Sequence, residues 1–173
     1  MNSVLQVYPM NNKTGRYVGE IMTRNVVSVS KDADLTEAIR IMEREGLSAI
    51  PVVNAGGQVC GIVSNSDLIS LTYDLQCDIS VLPYVGKAVR ESLIDALNED
   101  NQMVQVTRVM TEHVESVTPQ DEISTAARVM TEQSIHHLPV VNQEHKPIGI
   151  VSASDIVRTV AFKPDGLTQE MHQ

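Results

Sequence analysis

The sequence is poor in aromatic residues and in cysteine. Its 173 residues include no Trp, one Phe and four Tyr. Nucleic-acid bases stack on such rings, so the chain has little material for a single-strand binding surface. Cys60 falls in a predicted strand and Cys77 at a predicted helix end, which gives no reason to expect a disulfide or a cysteine metal site. We therefore expect an aliphatic core.

Positive charge and long apolar runs are also scarce. There are 13 Lys and Arg against 22 Asp and Glu, and the formal net charge is −9. Binding to nucleic acid or to an anionic membrane needs clustered basic side chains. No stretch approaches the roughly 18 consecutive apolar residues of a membrane span, and residues 1–15 do not read as a signal peptide. We expect a cytoplasmic protein that binds neither nucleic acid nor membrane.

Signatures of catalysis are missing as well. The sequence has no P-loop, H-E-x-x-H, C-x-x-C or G-x-G-x-x-G motif. Ser154 and Asp155 are adjacent, so this Asp cannot orient a His base for this Ser in a triad. We expect no enzyme and no catalytic residues.

A metal sensor is a second alternative. It would use His113, His136 and His137, with Glu112 or Glu115 nearby. Neighbouring residues of a strand point to opposite faces, so His136 and His137 are poorly placed to ligate one ion together. No metal site is expected.

A long internal repeat is present instead. GIVSNSD at 61–67 returns as GIVSASD at 149–155, and the same offset of 88 aligns Met22-Thr23 with Met110-Thr111 and PVVN at 51–54 with PVVN at 139–142. This period is too long for a solenoid unit and indicates two copies of one small domain.

Each copy reads as strand, helix, strand, strand, helix. This order predicts a mixed α/β protein of two domains, each a three-stranded sheet with two helices, packed by pseudo-twofold symmetry. The expected divisions are an N-terminal arm (1–17), a first domain (18–72), a helical inter-repeat segment (73–105), a second domain (106–161) and a tail (162–173).

The repeated heptad marks the most informative position in each copy. We expect its strand to turn directly into a helix, with Ser66 and Ser154 as N-caps and Asp67 and Asp155 in the first turns. A helix N-terminus also favours an anion such as phosphate, so the serines have either a structural or a ligand-binding interpretation.

The inter-repeat segment carries an amphipathic pattern. We expect a helix from Pro83 to about Leu97, and its apolar stripe consists of Val81, Val85, Val89, Leu93 and Leu97. The stripe could pack on its own domain pair, on a second copy or on another protein. We expect the first.

The combination of M-T, an h-P-V-V strand and G-h-V-S-x-S-D at fixed offsets in both copies resembles the cystathionine-beta-synthase (CBS) domain pair, or Bateman module. The resemblance implies a regulatory module that needs no cofactor. It would bind AMP, ADP, ATP or a related adenosyl ligand such as S-adenosylmethionine in clefts between the copies. In such modules the Asp takes the ribose hydroxyls, the serines approach ribose or phosphate, and residues before the Pro contact the base.

The resemblance implies two sites. Site A would comprise Thr23, Asn25, Val26, Leu47, Ser48, Ala49, Pro51, Ser152, Ser154 and Asp155. Site B would comprise Ser64, Ser66, Asp67, Thr111, His113, Val114, Ile135, His136, His137 and Pro139. The walls differ, because site A has small uncharged residues where site B has two histidines that could donate to phosphate.

The resemblance also implies a homodimer, which we expect to form through outer helices at 35–42 and 68–75. The signal would pass to an effector protein on a separate chain. The alternative is a dimerisation or docking module that binds no ligand.

Overall fold

The computed structural model describes residues 16–74, 87–99 and 103–161. The first copy contains α1 (Val18–Ile21), β1 (Thr23–Arg24), β2 (Val29–Ser30), α2 (Leu35–Arg44), β3 (Ala49–Val53), β4 (Val59–Ser64) and α3 (Asn65–Asp74). Helix α4 (Lys87–Glu99) follows, and the second copy contains a 3₁₀ turn (Val106–Arg108), β5 (Thr111–Glu112), α5 (Ile123–Glu132), β6 (His137–Val141), β7 (Pro147–Ser152) and α6 (Ala153–Ala161). The predicted fold class is confirmed.

Two sheets form the framework, in the orders β2-β3-β4-β5 and β1-β7-β6. The hairpins β3-β4 and β6-β7 are antiparallel and have the same register, with Pro51 opposite Ile62 and Pro139 opposite Ile150. Both prolines lie in mid-strand, and Pro139 is on β6, the edge strand of its sheet. Pro51 is tolerated there because β2 pairs only with Val52 and Val53, so no neighbour needs the missing donor.

The outermost strand of each sheet comes from the other copy. Strand β1 of the first copy pairs with β7, with Thr23 opposite Ile150. Strand β5 of the second copy pairs with β4, with Thr111 opposite Ile62. The first residues of each repeat thus complete the sheet of its partner repeat.

Backbone hydrogen bonds extend this exchange to the turns that precede the strands. The amide of Val18 donates to the Asp121 carbonyl at 2.9 Å. The amide of Val106 donates to the Ala33 carbonyl at 3.0 Å. Both valines are fully buried, each in the core of the opposite copy. Separating the copies would therefore expose core residues of both.

Two aliphatic cores result, as the composition predicts. The first lies between α2, the β2-β3-β4-β5 sheet and α4, and the second between α5, the β1-β7-β6 sheet and α1. The predicted core stripe of α2, which comprises Leu35, Ala38, Ile39 and Met42, is completely buried. The dimer contact expected through this helix would use its exposed face, and it stays a prediction.

Helix α4 belongs to the first core. Leu93 is fully buried and Leu97 is 7% exposed, and the helix packs against α2 and α3. The inter-repeat helix thus packs on its own domain pair, which is the expected one of its three destinations. The predicted start at Pro83 and the side chains of Val81, Val85 and Val89 lie outside the described residues.

The C-termini of α2 and α5 offer a matched test of backbone strain. Each helix is followed by a residue in the left-handed region, Gly46 (φ 66°) in the first copy and Ser134 (φ 54°) in the second. A residue with a Cβ costs roughly 1 kcal/mol there. We expect Ser134→Gly to raise the free energy of unfolding by about that amount and Gly46→Ser to lower it similarly, as measured by urea denaturation. A Cβ at Gly46 would meet no atom within 4 Å, so steric contact does not contribute to the expected loss. If Gly46→Ser is as stable as the unsubstituted protein, the argument from backbone strain is wrong.

Candidate ligand-binding site

A cavity of about 580 Å³ opens between the two copies, a size typical of small-molecule sites. It gathers nine of the ten residues predicted for site B: Ser64, Ser66, Asp67, Thr111, His113, Val114, Ile135, His136 and His137. Pro139, the tenth, is buried in β6 behind this wall. The cavity also takes in Ser48, which the resemblance placed in site A, and Ile62, Asn65, Glu112, Glu115, Gln133 and Ser134, which it did not include.

A helix cap holds the carboxylate of Asp67 at this cavity. Both the amide and the hydroxyl of Ser64 donate to Asp67 Oδ2, at 2.7 and 2.6 Å. Ser64 precedes the first residue of α3, so Ser64 and Asp67 form an S-x-x-D capping box. The prediction that Ser66 is the N-cap is wrong. Helix α3 starts directly after β4, which moves the cap back by two residues.

The crossing strand supplies the next contact. Thr111 on β5 donates its hydroxyl to Asp67 Oδ1 at 3.1 Å. One carboxylate thus joins the first copy's helix start to the second copy's strand. Oδ2 of Asp67 accepts both hydrogen bonds of the cap. Oδ1 accepts from the Thr111 hydroxyl, a bond that a hydroxyl of a ligand could replace.

The second heptad repeats the cap. The amide of Ser152 donates to Asp155 Oδ2 at 2.9 Å, and the Asp155 amide donates to Ser152 Oγ at 3.3 Å. Ser152 and not Ser154 therefore caps α6, which corrects the second predicted cap in the same way. Arg158 donates to Asp155 Oδ1 at 3.3 Å, a contact with no counterpart in the α3 cap, where position 70 is Ser.

The remaining site A residues occupy positions equivalent to those of site B. Thr23 on β1 pairs with Ile150, two residues before Ser152. Asn25 is exposed and Val26 half-buried after this strand, Leu47 is half-buried before β3, and Ala49 and Pro51 are buried within β3. Ser48 is the exception, because it contacts the site B wall. The structure brings the residues of site B together around a cavity that includes one predicted site A residue.

The chain makes the same tight turn after each crossing strand, at Asn25 and at His113. Asn25 (φ 57°) and His113 (φ 54°) are both left-handed, and each follows a crossing strand. This conformation is uncommon outside Gly but is enriched in Asn and His. The turn carries the chain from the partner sheet back to its own copy.

His137 joins the two copies across the cavity wall. Its Nε2 lies 2.9 Å from Ser48 Oγ. Desolvation lowers the pKa of His137 below its ordinary value of 6.5, and His136 lowers it further while Asp155 opposes the shift. His137 is therefore neutral near neutral pH, and it hydrogen-bonds rather than carries charge.

This shift predicts a pH dependence of stability. Because the folded-state pKa of His137 is depressed, its contribution is present above about pH 6.5 and is lost as pH falls towards the lower folded-state value. We expect the free energy of unfolding to fall between about pH 7.5 and about pH 5.5, and to fall less in His137→Gln, as measured by urea denaturation. His145→Asn, which changes an exposed His outside the cavity, is the control. An identical slope in His137→Gln would exclude this residue as the cause.

Arg90 ties the inter-repeat helix to the same wall. Its Nη2 donates to the Leu47 carbonyl at 2.7 Å and to Asn65 Oδ1 at 2.8 Å, and the residue is 8% exposed. Burial lowers the pKa of Arg90, and its Nε has no hydrogen-bond partner among the described residues. The sequence analysis did not include Arg90 among the site residues. Its position beside an apolar stripe did not distinguish a buried guanidinium from an exposed one.

The described ranges contain neither a candidate metal site nor a candidate membrane-spanning helix. No group of three or more His, Cys, Asp or Glu side chains among residues 16–74, 87–99 and 103–161 is arranged to hold a metal ion. In that part of the chain no helix combines the length and the apolar character needed to cross a bilayer.

The family comparison matches both copies. The model of the CBS domain matches residues 18–74 and 106–161. The chain belongs to the CBS domain family. Its two matched segments are the two repeats, and together they form a CBS domain pair with the strand exchange described above.

Known relatives are similar over most of the chain. An uncharacterized protein of Methanocaldococcus jannaschii, MJ1426, is 30% identical and covers 92% of this chain and 99% of its own length. The chain also matches homoserine O-acetyltransferases, for example that of Methanococcoides burtonii, but it spans only 25% of that enzyme's length.

Solved structures share the fold. CBSX2 in complex with AMP has a TM-score of 0.62 and 24% identity, over 85% of this chain and 97% of its own. The CBS domain pair of MJ0100, in complex with 5′-methylthioadenosine and S-adenosyl-L-methionine, has a TM-score of 0.60 and 19% identity, over 83% and 98%.

Proposed function

We propose that this CBS domain pair is a regulatory module that binds an adenosyl ligand in the cavity between its two copies. The observation that carries the proposal is the position of Asp67. Its carboxylate is fixed by a cap from one copy and contacted by Thr111 of the other, at the edge of a cavity of ligand size. On this basis we propose for the residues of sites A and B the ligand contacts that the resemblance implies.

The geometry suits ribose recognition. Asp67 Oδ1 is already an acceptor for the hydroxyl of Thr111, and a ribose diol offers the same kind of donor. A hydrogen bond to a charged acceptor in a partly dry cleft contributes about 1.5 to 3 kcal/mol. The segment that precedes β6, which includes Ile135 and His136, then lies where a base would contact the wall.

The ligands of the similar structures support the adenosyl class. CBSX2 was solved with AMP, and the MJ0100 pair with two compounds that contain 5′-thioadenosyl groups. The chemistry that they share is adenosine. We propose AMP, ADP, ATP or S-adenosylmethionine as candidates for both this cavity and site A.

A ligand in this cavity would link the two copies, and α4 would transmit the resulting change in the cavity wall. A ligand held by Asp67 and His136 contacts both repeats at once. Ser48 and Asn65 line the cavity, and Arg90 of α4 holds Asn65 and the carbonyl that precedes Ser48. We propose that a change in this wall moves α4, and that a separate effector protein in the cytoplasm reads the change.

We also propose that the module is a homodimer that closes over α6. No residue of α6 is buried, and Val157 and Val160 are 63% and 71% exposed on one face. The equivalent helix α3 is covered by α4.

We expect a dimer by light scattering at micromolar concentration and a monomer for Val160→Glu, with Gln58→Glu in the exposed β3-β4 turn as the control. A monomeric unsubstituted chain would contradict the dimer.

A thermal-shift series tests the ligand proposal. Adenosine, AMP, ADP, ATP and S-adenosylmethionine are each added to the full chain, with guanosine as the control. A compound at 100 times its dissociation constant stabilises the fold by about 2.7 kcal/mol. Stabilisation by at least one adenosyl compound and not by guanosine is expected. No shift with any of them at millimolar concentration would favour the alternative, a dimerisation or docking module without a ligand.

A further inference from the structure

The charge of the cavity wall distinguishes among the adenosyl candidates. The sixteen described residues that line the cavity include three acidic ones, Asp67, Glu112 and Glu115, and none of the sixteen is Lys or Arg. A cavity built to hold two or three phosphates is expected to present cationic side chains, because each added phosphate brings negative charge into the cleft. The described wall presents the opposite sign.

The three histidines of the wall do not reverse this balance. His137 is held neutral by burial, and its Nε2 is engaged by Ser48. His113 and His136 are exposed and offer ring N–H groups, which can hydrogen-bond to a single phosphate or to a carboxylate.

Arg90 lies behind this wall rather than in it. Its guanidinium does not line the cavity, and among the described residues it donates to the Leu47 carbonyl and to Asn65 Oδ1. It therefore holds the wall in place instead of offering a donor to the ligand.

Resting on the proposed function, we infer that this cavity selects adenosyl compounds whose 5′ substituent is uncharged or cationic, and that it discriminates against polyphosphates. S-Adenosylmethionine carries a sulfonium beside the ribose and, further out, an ammonium and a carboxylate, so its net charge is positive and is attracted by the carboxylates of Glu112 and Glu115. The same two carboxylates repel the phosphates of ADP and ATP. One fully solvated charge pair about 4 Å apart changes affinity by about fivefold, and a pair partly shielded from water changes it by more.

Calorimetric titration in magnesium-free buffer tests this selectivity. We expect S-adenosylmethionine and adenosine to bind at least about tenfold more tightly than ATP, with AMP between them. Added salt should weaken the binding of S-adenosylmethionine and strengthen that of ATP, because it screens attraction and repulsion alike. ATP or ADP binding as tightly as S-adenosylmethionine would overturn the inference and leave the proposed function intact. Binding of no adenosyl compound would overturn both.

Substitutions identify the groups responsible. Glu112→Gln and Glu115→Gln each remove one charge from the wall, and together they are expected to reduce the preference for S-adenosylmethionine over ATP by about tenfold or more. Glu45→Gln removes the same charge from the exposed end of α2, away from the cavity, and is the control. A preference unchanged by the double substitution, or reduced equally by Glu45→Gln, would show that the wall carboxylates do not set the selectivity.

Discussion

Gly149→Ala and Gly61→Ala are each expected to lower the free energy of unfolding by about 2 to 3 kcal/mol. A Cβ at Gly149 would lie 2.7 Å from the Met22 sulfur and 2.9 Å from the Thr23 carbonyl oxygen. At Gly61 it would lie 2.6 Å from the Met110 sulfur. A methionine can rotate away, but the Thr23 carbonyl belongs to the crossing strand, so β1 itself must move. Urea denaturation measures the loss.

The strand exchange adds a local measurement to this prediction. Displacing β1 or β5 should also expose the amides that pair across the copies, so hydrogen exchange at Arg24 and Glu112 should accelerate. Gly56→Ala, at an exposed turn of the first hairpin, is the control and should change stability by less than about 0.5 kcal/mol. Full stability of Gly149→Ala with unchanged exchange at Arg24 would show that the crossing strand tolerates the added methyl group.

Asp67→Asn is expected to weaken binding of an adenosyl ligand in the cavity by about 10- to 100-fold while largely preserving the fold. The amide oxygen of Asn can still accept from the Ser64 amide, but the charged acceptor for the ribose hydroxyls is lost. Asp67→Ala is a poorer test, because it also removes the helix cap, at a cost of about 1 kcal/mol. The equivalent change for site A is Asp155→Asn. Titration calorimetry provides the affinities.

Asp121→Asn is a matched control for this experiment. Asp121 Oδ2 accepts from the amide and the hydroxyl of Thr118, at 2.6 and 3.1 Å, in the same i to i+3 arrangement but outside the cavity. It should reproduce the small structural cost of Asp67→Asn without its effect on the ligand. Equal affinities for Asp67→Asn and Asp121→Asn would remove Asp67 from the proposed ribose contact.

The repeat predicted the fold class but not the exchange of strands. Equal spacing shows that Met22-Thr23 and Met110-Thr111 are equivalent, yet it cannot show which sheet each segment joins. The contacts of the heptad glycines supply the missing information, since Gly61 meets Met110 and Gly149 meets Met22. A small residue in one copy accommodates a large one from the other, and a single sequence does not reveal that pairing.

The sequence predicted the residues that line the cavity more completely than the residues that hold this wall in place. The resemblance named ten of the residues that line the cavity, nine for site B and Ser48 for site A, because its motifs sit at strand and helix ends that the fold brings together. It missed Glu112 and Glu115, whose types follow no motif, and Arg90, which comes from the segment outside the repeat. The predicted caps, Ser66 and Ser154, lie two residues too late in the sequence. Ser-x-Ser-Asp offers two serines, and only the actual helix start selects between them.

Chemical-shift mapping with adenosine on the isotopically labelled full chain tests the central claim most directly. We expect one titration to perturb the amides of 64–67, which carry the cap and Asp67, together with those of 111–114 and 135–137 from the second copy. Simultaneous change in segments of both copies would place the ligand between them. Perturbation confined to one copy, or none at millimolar adenosine, would contradict a ligand site shared by the two CBS domains.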